Sequence, residues 1–173
     1  MLGNHNLQVE QFILDTSTIS QIFSAFHPPL FPTLWEYFDR LVLSGFAISV
    51  AAVRAELQAL GRVAGAVAYL ESLNQQFFAS PTQDEQYLVE EMTANNALTS
   101  SSNRWRSKTT RGFVDADPYL IAKGLVAPVL SIVVTEESQD LTKRDRIFYV
   151  CHYYGLECIN HRQMMVDRIG WRF

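Results

Sequence analysis

Residues 12–16, FILDT, decide how this chain is read, because three apolar residues end abruptly in an aspartate followed by hydroxyl side chains. Phe12, Ile13 and Leu14 read as a buried strand with Asp15 at its C-terminal end. Thr16, Ser17 or Thr18 then offers a helix cap, since Ile19, Ile22, Phe23 and Phe26 follow at helical spacing. Open parallel α/β sheets bind ligands beyond the carboxyl ends of their strands, which makes Asp15 a site candidate. An ordinary turn aspartate is the competing reading.

The strand-to-helix step recurs outward from this stretch. Residues 46–50 form a compact strand with small residues between the apolar ones, and Val53, Leu57 and Leu60 mark the helix after it. Residues 129–135, VLSIVVT, are the strongest strand signal, with the β-branched continuity of a central strand covered on both faces. Asp117 as N-cap and Pro118 at the first helical position open a helix through Leu125. Helices near 144–154 and 163–168 flank a short strand at 156–160, and Ser80-Pro81-Thr82 starts a helix running to about Asn95. Residues 96–112 lack apolar periodicity and read as a long loop, and residues 1–10 as a polar lead-in. Strands separated by helices imply an α/β fold with a mostly parallel sheet, in one domain over residues 11–173.

Composition narrows the class. A length of 173 residues suits one domain with a substantial core, and the net charge of −4 excludes a protein that holds nucleic acid through overall positive charge. Cys151 and Cys158 are the two cysteines, and no basic-led apolar signal segment is evident, so a reduced cytoplasmic setting is expected. The longest apolar run, residues 125–134, is interrupted by Pro128 and Ser131 and falls short of the roughly 20 residues that span a bilayer. A soluble protein with no membrane partner follows.

Several charges fall where charge is costly. At about 100° per residue, Glu56 lies about 60° from Val53, inside the face that Val53, Leu57 and Leu60 define. A carboxylate aimed there must be protonated, paired or coordinated, unless it is a boundary residue reaching water. Leu120, Ile121 and Gly124 put Asp117 on its helix's apolar side, although capping alone would also account for it. Glu136 and Glu137 end the central strand as Asp15 ends the first. Asp15, Glu56, Asp117 and Glu137 would therefore gather on one edge of a parallel sheet. Arg104, Arg106, Lys108 and Arg111, with Trp105 as a stacking surface, read as a substrate arm or as a solvated loop, and Lys143, Arg144 and Arg146 form a competing basic patch. The spacing of Cys151, His152, Cys158 and His161 matches no structural zinc pattern.

The ordered set FILDTS, AAVRAEL, ADPYLIA and VVTEE resembles the PIN-domain superfamily over residues 12–165, within it a PIN-like family of unknown function suggested by FPTLWEYF, ADPYLIAKGL and YGLECINHRQMM. The resemblance implies a three-layer α/β/α domain and assigns Asp15, Glu56, Asp117 and Glu137 as the four acidic metal-binding and catalytic positions, with Thr16 and Thr135 supporting them. Glu137 departs from the usual aspartate at the fourth place. Hard Mg²⁺ or Mn²⁺ suits such an all-oxygen set. The implied activity is metal-dependent endonucleolytic cleavage of RNA, in a cytoplasmic protein that would pair with an antitoxin as the toxin of a prokaryotic pair, a homodimer being open. A non-catalytic RNA- or protein-binding module and a structure-selective DNA nuclease are the alternatives.

Overall fold

The computed structural model describes residues 10–61, 63, 65–110 and 114–171. Its strands are β1 (Glu10–Leu14), β2 (Ala47–Val50), β3 (Phe78–Ala79), β4 (Leu130–Val134) and β5 (Glu157–Ile159), joined in one parallel sheet of order β3-β2-β1-β4-β5. Register is fixed by pairs such as Phe12 with Ala47, Leu14 with Val134 and Val134 with Ile159. Helices α1 (Thr16–Ala25), α2 (Pro32–Leu43), α3 (Ala51–Leu60) and α4 (Ala66–Leu73) lie between the first three strands. Helices α5 (Gln83–Ala94), α6 (Thr99–Thr110) and α7 (Asp117–Val126) connect β3 to β4, and α8 (Ile147–Tyr153) connects β4 to β5.

This order explains the three layers. From β1 the chain steps outward through β2 and β3, then returns past β1 and continues the other way through β4 and β5. Right-handed crossovers consequently place α1–α4 on one face and α5–α8 on the other. The helix contacts agree, with α1 on α3, α2 on α4 and α3 on α4, against α5 on α6, α5 on α7 and α7 on α8. The direction of winding reverses between β1 and β4, and their carboxyl ends form the switch-point crevice where α/β sheets bind ligands.

The sheet is held by its middle strands. Ile13, Leu14, Ile132, Val133 and Val134 are wholly buried, each contributing about 1.5–3 kcal/mol from apolar surface removed from water. Gly124 lets α7 lie close to that sheet, because a Cβ there would stand 2.8 Å from Leu156 Cδ2 and 3.5 Å from Ile13 Cδ1. Gly61 ends α3 in the left-handed conformation at φ +61, which a side chain would strain. Among the described residues, no helix is long and apolar enough to cross a membrane.

Several expected boundaries shift. The expected loop at 96–112 is helical over its described residues, 96–110: a 3₁₀ turn, Asn96–Leu98, leads into α6, whose Ser- and Thr-rich sequence conceals a helix tied down by buried Leu98 and Trp105, while residues 111 and 112 lie outside the described residues. Trp105 is therefore no exposed stacking surface. Asp15 itself caps α1, in place of the three hydroxyl residues after it, and Asp117 sits one position inside α7, whose N-cap is Ala116. β1 begins at Glu10, within the expected lead-in, and residues 1–9 lie outside the described residues, as does Arg111.

Candidate functional site

Four separate segments deliver carboxylates to the switch point. Asp15 leaves β1, Glu137 follows β4, Glu56 reaches over from α3, and Asp115 and Asp117 stand at the start of α7, which runs back from the same edge. Hydroxyls stitch the strand ends beneath them: Ser49 Oγ donates to the Leu14 carbonyl at 2.6 Å and Thr18 Oγ1 to that of Val134 at 2.9 Å.

Asp15 is the fixed point of the cluster. Its Oδ1 accepts from the Thr16 N–H at 2.6 Å, and its Oδ2 accepts from Ser17 Oγ at 2.6 Å and Thr135 Oγ1 at 2.8 Å. A carboxylate offers about four lone-pair directions, so these bonds leave one on Oδ1. Burial raises the Asp15 carboxyl above its ordinary range, with the Ser17 and Thr135 hydroxyls opposing the shift and the charges of Glu56 and Glu137 adding to it.

The neighbouring acids are tied in turn. Glu56 Oε2 accepts from Thr16 Oγ1 at 2.6 Å and its Oε1 from the Ala116 N–H at 3.2 Å, linking α1, α3 and α7. Thr135 Oγ1 also accepts from the Glu137 N–H at 3.2 Å. Glu137 is the most heavily engaged, since its Oε2 takes the Ile147 N–H at 2.9 Å and its Oε1 takes Arg104 at 3.3 Å and Arg146 at 3.1 Å. Glu136 is held instead by His161, whose Nδ1 lies at 2.8 Å and whose backbone N–H donates at 2.9 Å. Burial would raise the Glu136 carboxyl, but the His161 contacts outweigh it and hold the group below its ordinary range.

Sequence reasoning missed Asp115. It is 2% exposed, and its Oδ1 accepts from the Asp117 N–H at 3.2 Å, which sets the first turn of α7 and hence the direction of Asp117. The available signal was the Asp-Ala-Asp triplet, because an aspartate two residues before a helix start commonly bonds back to that backbone. Arg104 and Lys108 also behave unlike the expected arm. Both turn inward: Arg104 lies against Asp117 and Glu137, while Lys108 Nζ is 2.9 Å from Asp115 and 3.7 Å from Glu56. Arg106 stays on the surface, where it donates to the Thr93 carbonyl. Arg146, from the rival basic patch, joins the rim through Glu137, and Cys151 and Cys158 are free thiols on α8 and β5.

The donors are all hard oxygens, which fits Mg²⁺ or Mn²⁺ in kind. In the conformation described, Arg104 and Lys108 supply the positive charge, and among the described residues no three acidic, histidine or cysteine side chains are disposed to share one ion. A cleft of about 510 Å³ bordered by Trp105, Asp115, Pro118 and Tyr119 opens beside the cluster. A family model described as "Domain of unknown function (DUF4411)" matches residues 12–173. No curated protein and no solved structure matches the chain.

Proposed function

The chain belongs to the DUF4411 domain family, and we propose that it is a PIN-like Mg²⁺- or Mn²⁺-dependent nuclease that hydrolyses RNA phosphodiester bonds. One observation carries the reading: five carboxylates from four segments lie around the carboxyl ends of β1 and β4, where the sheet changes its direction of winding, linked to one another through Thr16, Arg104 and Lys108. The charges of Glu56 and Glu137 bear on the buried Asp15 although both acids have basic partners, and a cation bound beside Asp15 would relieve that repulsion. Asp15, with its remaining lone pair, and Asp117 would hold the ion, with Glu56 beside them and Glu137 reaching it only after releasing a basic partner.

When bound, the ion supplies positive charge against the scissile phosphate and acidity to the attacking water. Thr16, Ser17 and Thr135 keep the Asp15 carboxylate in one orientation, and Asp115 fixes the first turn of α7, which carries Asp117, through the Asp117 N–H. Glu56, which accepts hydrogen bonds from Thr16 and Ala116 and stands 3.7 Å from Lys108 Nζ, would take a proton at a carboxylate oxygen. The adjoining cleft is of a size that accepts a small ligand or one unit of a chain. The toxin role, with an antitoxin protein as partner in the cytoplasm, rests on the PIN resemblance.

The test is cleavage of single-stranded RNA in millimolar Mn²⁺ or Mg²⁺, with chelator abolishing it and Asp15→Asn losing most of it while remaining folded. Metal-independent cutting, or an active Asp15→Asn, overturns the mechanism. A folded wild type that binds RNA without cutting it favours a binding module, and selective cutting of DNA favours the DNA nuclease.

A further inference from the structure

Arg104 and Lys108 lie one helical turn apart on the same side of α6 and both enter the acidic cluster. Together they carry two positive charges, as many as one divalent ion, so replacing them by such an ion leaves the charge balance of the cluster unchanged. Arg104 bridges Asp117 and Glu137, with a 3.3 Å hydrogen bond from its Nη1 to Glu137, and Lys108 Nζ stands 2.9 Å from Asp115.

The helix that carries them is weakly built. TSSSNRWRSKTT is rich in Ser and Thr, which favour caps and turns over helix interiors, so little intrinsic propensity holds it. Its anchors to the fold include the buried Trp105, Ser101 Oγ donating to the Arg144 carbonyl at 2.7 Å, and Ser102 Oγ donating to the Met92 carbonyl at 3.2 Å.

We infer that α6 is an internal strap whose Arg104 and Lys108 occupy the cation position of the acidic centre, so that divalent-metal binding and strap docking exclude one another. This rests on the metal-centre reading above. Metal binding lifts α6 from Asp115, Asp117 and Glu56, and the released Arg104 and Lys108 become available to phosphate. Apparent metal affinity is set by the fraction of molecules with the strap undocked: a strap docked nine-tenths of the time weakens it roughly tenfold.

The experiment follows Mn²⁺ binding by titration calorimetry and amide hydrogen exchange across α6 in wild type, in Arg104→Gln/Lys108→Gln, and in Lys108→Gln alone as the milder variant. Expected are roughly tenfold tighter Mn²⁺ binding in the double variant, a smaller gain in the single variant, and faster α6 exchange in Mn²⁺-saturated wild type. The wild-type exchange measurement decides the matter even where the double variant fails to fold. Mn²⁺ binding with α6 exchange unchanged or slowed overturns the strap alone. Absence of Mn²⁺ binding in wild type and Lys108→Gln alike overturns the metal-centre reading and the strap with it.

Discussion

Thr135→Val replaces a side chain by one of nearly the same shape and removes a single hydroxyl at the centre of the cluster. Thr135 is 1% exposed, so water does not restore what is lost. The hydroxyl donates to Asp15 Oδ2 at 2.8 Å and accepts from the Glu137 N–H at 3.2 Å. A hydrogen bond to a charged group is worth about 1.5–3 kcal/mol, and an orphaned buried N–H costs about 1–3 kcal/mol. Ser17 still serves Asp15, which favours the lower halves of those ranges and gives an expected loss of about 2–4 kcal/mol. With a urea m-value near 2 kcal/mol/M, the midpoint should fall by about 1–2 M. The pH dependence carries a sign. The Asp15 carboxyl is raised above its unfolded value near 3.8, so its contribution to stability is present below that value and lost as pH rises through the higher folded value. Losing the Thr135 donor raises it further, and the variant's deficit should grow from acid toward neutral pH in metal-free buffer. A deficit below about 0.5 kcal/mol, or one that stays constant from acid to neutral pH, would refute this account of Asp15.

Lys123→Met should cost about 3–5 kcal/mol, because it strands the Glu85 carboxylate, which is 5% exposed and whose Oε1 lies 3.1 Å from Lys123 Nζ. Urea denaturation should show most of the loss recovered by adding Glu85→Gln, and a Lys123→Met loss under about 1 kcal/mol would mean that the pair is already solvated. Tyr69 donates to the Asp39 oxygens at 2.8 and 2.9 Å, and its phenol is pushed up to about 12, by burial first and then by Asp39. Stability should therefore hold below the unfolded value of 10.0 and fall as pH rises toward about 12, and Tyr69→Phe should flatten that decline in alkaline denaturation curves. An identical decline in the variant would assign it to other groups.

The two central strands, β1 and β4, were legible because they are short, apolar and followed by carboxylates. FILDT and VLSIVVT gave β1 and β4 to within a residue or two, and Gly61 marked the end of α3 through its tolerance of positive φ. The positions of Asp15, Glu56, Asp117 and Glu137 at one edge followed from topology, since a parallel sheet puts every strand's carboxyl end on the same side. Less visible was α6, whose stability comes from Trp105 and from the carboxylates it neutralises, so its own residues carry little helical period. The inward turn of Arg104 and Lys108 was hidden for the same reason. Asp115 went unread because its task is local, a backbone bond at the start of α7. β3 contains just Phe78 and Ala79, too few residues to show alternation.

The most direct test of a divalent-metal centre at the switch point is an anomalous difference map from crystals of the wild-type protein soaked in Mn²⁺. The account predicts a peak among the carboxylates of Asp15, Asp117 and Glu56, with Arg104 and Lys108 withdrawn from them. A Mn²⁺ peak elsewhere with this cluster unchanged, or no peak while Arg104 and Lys108 remain seated, would contradict it.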